Sequence, residues 1–178
     1  MRMAVSAALL KSDNRAIWRD ALERAAVEVF DALLGIRLEP GVPDDAARIH
    51  RHGGSGGRLA RRIITVMVGL AGDLRGVLSV SCSKVVAAGI TKRMLQTDHT
   101  SEAQIWDVLG EVCNVMAGRF KNGPPRIAGS CALSAPTVIT GSNYTQHTLA
   151  GSGTLKQYFR MQGDLILIAL TVHKAPAS

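Results

Sequence analysis

Along the chain, apolar residues recur first at helical and then at strand spacing. Ile17, Trp18, Ala21, Leu22, Ala25, Val29, Phe30 and Leu33 fall on one helical face, with Arg15, Arg19, Asp20, Glu23, Arg24 and Asp31 largely between them. That pattern predicts an amphipathic helix. Good N-cap residues open it at Ser12 to Asn14, and it stops near Gly35. Ile36 to Glu39 reads as a short strand ended by Pro40-Gly41. After a Gly-rich basic stretch, Ile63 to Val68 is apolar and largely β-branched. Gly76 to Cys82 alternates with period two, and Gly72-Asp73 marks a turn between the two runs. Together they predict an antiparallel hairpin, and the apolar density of its first strand places that strand inside a sheet.

Ser83 is positioned to cap a second helix, with Val85, Val86, Ile90, Met94 and Leu95 as its apolar side. Thr97 to Thr100 is a polar break. Ser101 and Gln104 then have capping-box spacing for a third helix, and Glu102 suits its positive end. This helix is expected to run from about Glu102 to Lys121. Ile105, Val108, Leu109, Val112, Val115, Met116 and Phe120 form its buried stripe, and Gly123-Pro124-Pro125 stops it. Ile127 to Leu133 and Ala135 to Gly141 read as extended. Thr154 to Met161 and Leu165 to His173 read as a hairpin around Gln162-Gly163-Asp164. The order helix, strands, two helices, strands predicts one α+β domain over residues 1–178, a mixed, largely antiparallel sheet packed with helices.

Hydrophobic residues make up 47% of the 178 positions and charged residues 20%, the balance of a globular protein with a real core. No apolar run approaches the roughly 20 residues of a membrane span. The weakly apolar start is broken at Lys11, short of a signal peptide, so a cytoplasmic protein without a membrane partner is expected. Cys82, Cys113 and Cys131 are an odd set without CxxC pairing, which predicts buried reduced thiols in place of disulfides or zinc. His50, His52, His99, His147 and His173 are scattered, and no metal site is expected. The formal charge of +7 favours an acidic partner. Arg48, Arg51, Arg58, Arg61 and Arg62 supply much of it, around His50, His52 and a run of glycines. Aromatic residues are absent there, so the stacking platform of a single-strand binder is missing, and no nucleic-acid partner is expected.

The residues that carry chemistry lie off the stripe of the third helix. Asp107, Glu111 and Asn114 are four and then three positions apart, along one face and about one turn from each other. A carboxylate that grips a cation, one turn from an amide that orients a water, is a compact hydrolytic pair. Taken alone the signal is weak, because most acid-plus-amide pairs on helices are only a solvated face.

The stretch Asp107-Val108-Leu109-Gly110-Glu111-Val112-Cys113-Asn114-Val115-Met116-Ala117-Gly118-Arg119-Phe120-Lys121 resembles the signature helix of the CheC/CheX phosphatases. That signature has an Asp or Ser, then ExxN one turn later, then an apolar Gly/Ala-rich turn. Ser134-Ala135-Pro136-Thr137-Val138-Ile139-Thr140-Gly141 is similar to the Pro-containing strand that follows the helix in that family. The first helix has Glu28 but Asp31 three residues on, so only one signature helix is present, as in the CheX branch.

The resemblance implies a CheC/CheX-like fold and a homodimer. It also implies a phosphatase that stimulates loss of phosphate from the phospho-aspartate of a CheY-like response regulator, in chemotaxis or two-component signalling. Glu111 would pair with the receiver's lysine, Asn114 would hold a water in line with the P–O bond, and Asp107 would contribute to the docking face. The chain would need no cofactor of its own, because Mg²⁺ would come with the receiver. The competing expectation is a non-catalytic CheX-like module that binds a response regulator or a flagellar switch component. A second is nucleic-acid binding through the basic stretch, which would depend steeply on salt.

Overall fold

The computed structural model describes residues 12–42, 62–72, 74–123, 131–142 and 153–173. The chain runs α1 (Ser12–Leu34), β1 (Glu39–Pro40), β2 (Ile63–Gly72), β3 (Gly76–Ser83), α2 (Lys84–Leu95), α3 (Glu102–Asn122), β4 (Cys131–Leu133), β5 (Thr137–Gly141), β6 (Gly153–Met161) and β7 (Asp164–Val172). The strands form one sheet of order β1-β6-β7-β3-β2-β4, and β5 also pairs with β2. Every described pairing is antiparallel. The α+β architecture read from the sequence is the one observed, and β2 has neighbours on both sides.

Register explains the core. Alternate residues on a strand face opposite ways, and pairing aligns them into rows across the sheet. Val68, Leu78, Leu170 and Leu155 make one row, and Ile64, Cys82, Ile166 and Phe159 another. The middle row is Val66, Val80, Ile168 and Gln157. Gln157 turns its polarity to use, its Nε2 donating to the Arg19 carbonyl of α1 at 2.8 Å. These rows pack against Trp18, Leu22, Phe30, Ile90, Leu109, Met116 and Phe120 of the three helices in one apolar core. The opposite side of β2 and β3 carries a hydroxyl pair, Thr65 and Ser81, 2.7 Å apart.

Local signals end the elements where the sequence placed them, with small shifts. Gly35 takes φ 58° after α1, and the N–H groups of Gly35 and Ile36 reach back to the carbonyls of Asp31 and Phe30. The short strand falls at Glu39–Pro40 and not at Ile36 to Glu39, because pairing with β6 is confined to Glu39 and Pro40, while Ile36 and Leu38 are buried in the core. The segment expected as a strand from Ile127 is described only from Cys131 onward. In α2 the buried side is Val86, Ala87, Ile90 and Thr91, while Val85 and Leu95 face solvent. Periodicity alone could not choose, because α2 is apolar on two sides.

Candidate functional site

The site is built on α3. Its start is held by a reciprocal capping box, as the Ser101–Gln104 spacing predicted. Ser101 Oγ accepts from the Gln104 N–H at 3.2 Å, and Gln104 Oε1 accepts from the Ser101 N–H at 2.8 Å. Glu102 in the first turn is clamped by the Lys84 ammonium and lies 3.5 Å from Arg62. The hydrogen bond from Lys84 holds the Glu102 carboxyl below its ordinary range. About half of the helix circumference is fixed by Ile105, Val108, Leu109, Val112, Cys113, Met116, Ala117 and Phe120, all buried. A helix anchored over that much surface is a rigid platform for whatever its remaining face carries.

That remaining face carries the three residues singled out in the sequence. Asp107 and Glu111 are exposed and Asn114 is half-buried. Helical rise puts Glu111 about 6 Å beyond Asp107 along the axis, and Asn114 about 4.5 Å further. Among the described residues, no hydrogen bond or ion pair engages any of the three. The pair is therefore directed away from the core, with its donor and acceptor capacity unspent. Gly110 adjoins the face, and a Cβ there would sit 3.5 Å from the Pro136 side chain. The segment before β5 thus lies against α3 beside Glu111. Two regions resembling one family, well separated in sequence, meet at one place.

The flanking charges have other employment. Arg119 lies 3.9 Å from Glu28 of α1, and Lys121 donates to the Cys131 carbonyl at 3.1 Å. Burial pushes the thiols of Cys82 and Cys113 up to about 12, which makes them unreactive at neutral pH. All three cysteines are free and buried. Among the described residues, no group of three or more His, Cys, Asp or Glu side chains is placed to hold a metal ion. No described helix is long and apolar enough to cross a membrane. The basic Gly-rich stretch lies outside the described residues except for Arg62. Sequence reasoning passed over Trp106, which is 40% exposed beside Asp107. The signal was available: it is an aromatic residue on α3 that does not belong to the buried stripe.

Comparison with known proteins gives one family match. The model described as "Chemotaxis phosphatase CheX" matches residues 64–160. No curated protein matches the chain. Among solved structures, a chemotaxis protein CheX from Desulfovibrio desulfuricans is similar, with 20% identity and TM-score 0.69. The similarity covers 88% of this chain and 99% of that one. The CheX of a CheX–CheY–BeF₃–Mg²⁺ complex from Borrelia burgdorferi shares 19% identity with TM-score 0.64, covering 86% and 96%. Thermotoga maritima FliY shares 16% identity with TM-score 0.59, covering 94% and 92%. At these identities the solved structures speak to the fold.

Proposed function

This chain belongs to the chemotaxis phosphatase CheX family, and from that premise we propose that it accelerates hydrolysis of the phospho-aspartate of a CheY-like response regulator. The observation that carries the reading is the pair Glu111 and Asn114, one turn apart on the outer face of α3 and without a hydrogen-bond or ion-pair partner among the described residues. An acyl phosphate is already activated, so the phosphatase needs to supply position and charge complementarity more than new chemistry.

Each residue has a part in this. Glu111 pairs with the receiver lysine beside the phosphoryl group and sets the docking register. Asn114 enters the receiver site and holds a water in line with the P–O bond. A neutral amide suits that task, because a carboxylate there would repel the phosphoryl oxygens. Asp107, one turn before, belongs to the docking face. Mg²⁺ would come with the receiver. Self-association is part of the proposal. It is supported by β5, which pairs with β2 and carries no charged residue to blunt its other edge.

The competing reading is a CheX-like module that binds its partner without hydrolysing anything. A decay assay separates the two. Phosphorylated receivers from the same organism are followed with and without the protein. The phosphatase reading expects at least a tenfold faster loss of phosphate from one receiver. Tight binding with an unchanged decay rate would favour the module.

A further inference from the structure

The chain has two tryptophans, and the fold treats them in opposite ways. Trp18 is 5% exposed and packs against Phe120 with ring centroids 5.8 Å apart. Trp106 is 40% exposed, on the helix that carries Glu111 and Asn114. An indole left in water forfeits much of its transfer free energy, and here a core position was open to the other tryptophan.

Its place on the helix gives it a use. Side chains on an α-helix line up along i, i+4 rows, and Trp106, Gly110 and Asn114 share one such row, with Pro136 packed at the glycine between the other two. Asp107 and Glu111 form the row beside it. Eight residues of helix put Trp106 about 12 Å from Asn114 along the axis. A partner burying about 800 Å² on each side covers a disc about 16 Å in radius. A receiver seated with its phospho-aspartate at Asn114 therefore reaches Trp106. The indole also lines a small cleft with Arg62, Lys84, Glu102 and Thr140. Two cations meet one carboxylate there, leaving a surplus positive charge beside the ring.

On the proposed phosphatase reading, we propose that Trp106 is the apolar anchor by which this chain holds its receiver. It packs on partner surface next to the phosphorylation site, with Arg62 and Lys84 as a basic rim toward an acidic partner. Interface energy concentrates in such buried aromatic anchors surrounded by polar residues. Trp106 is thus a positioning and specificity residue that takes no part in bond breaking.

The test uses the full chain, the receiver that it dephosphorylates, and that receiver loaded with Mg²⁺ and beryllofluoride. Trp106→Ala should raise Kd for the loaded receiver and KM for the phosphorylated one at least tenfold, with kcat within twofold. Trp106→Phe should recover most of the loss. Complex formation should shift the indole emission of wild type, because Trp18 is sealed in the core. Val85→Ala, removing an exposed apolar side chain on α2, should change nothing. Unchanged Kd and KM in Trp106→Ala would overturn the inference and leave the phosphatase reading standing. So would a fall in kcat alone, or a change in sedimentation without a change in receiver affinity. Wild type that neither binds nor dephosphorylates any receiver would overturn both together.

Discussion

Raising the pH should destabilise this fold through two thiols beneath the working helix. Cys113 directly precedes Asn114 but points inward, its Sγ 3.7 Å and 3.9 Å from the carbonyls of Val66 and Leu78. Cys82 sits in a row of the sheet between Ile64 and Ile166. Burial, with a smaller contribution from Asp164 at Cys82, lifts both to about 12 from the ordinary 9.0. Between those values the native state keeps protons that the unfolded chain has lost, so stability falls as pH rises. At pH 10 the unfolded chain has released about 0.9 proton per thiol and the native state almost none. Two thiols then give a slope on the order of 2 kcal/mol per pH unit, and roughly 3 kcal/mol in total from pH 8 to 10. Against a typical stability of about 5–15 kcal/mol, that is a large fraction.

The assay is urea unfolding at pH 8, 9 and 10 for wild type and for the double variant Cys82→Ala, Cys113→Ala. The variant starts lower, because two buried sulfurs leave cavities, but its stability should fall less with pH by roughly 3 kcal/mol over that range. Tyr158, also raised by burial, contributes equally to both proteins. Parallel curves would mean that the thiols titrate alike in the folded and unfolded chains, contrary to their burial.

Other predictions rest on single contacts. Gly76→Ala would place a Cβ 2.2 Å from the Thr171 carbonyl oxygen, inside the pairing of β3 with β7. The strands must part, and the expected loss is about 3 kcal/mol or failure to fold, read by thermal melting. In the turn between β6 and β7, Gln162 and Gly163 both have positive φ, a geometry that prefers Asn-Gly. Gln162→Asn should gain about 0.5 kcal/mol in urea unfolding. Glu111→Lys replaces an exposed carboxylate with a charge that repels a receiver lysine. It should weaken receiver binding at least tenfold, about 1.4 kcal/mol, while moving the melting temperature little.

The sequence carried the parts of this molecule that depend on local rules. The capping box of α3, the glycine stop of α1, the β2–β3 hairpin and the final hairpin all rest on neighbours within a few positions. What stayed hidden depended on distant partners. Arg119 and Lys121 read as helix-end charges, and only folding brings Glu28 and the Cys131 carbonyl to them. The buried side of α2 was misjudged at Val85 and Leu95, because two apolar stripes compete and the sheet decides between them. The placement of Asp107, Glu111 and Asn114 on one face followed from helical spacing alone. That Pro136 lies beside them required the fold. Trp106 was legible as an outlier from the buried stripe, but its exposure was not.

In the proposed function Asn114 positions the attacking water and is not needed for docking. The direct measurement is Asn114→Ala, assayed in parallel for decay of the phosphorylated receiver and for affinity toward its beryllofluoride form. The stimulated decay should disappear while Kd stays within about threefold and the protein melts as wild type does. Full stimulation by the variant would contradict that role, as would a loss of activity that comes entirely from lost binding.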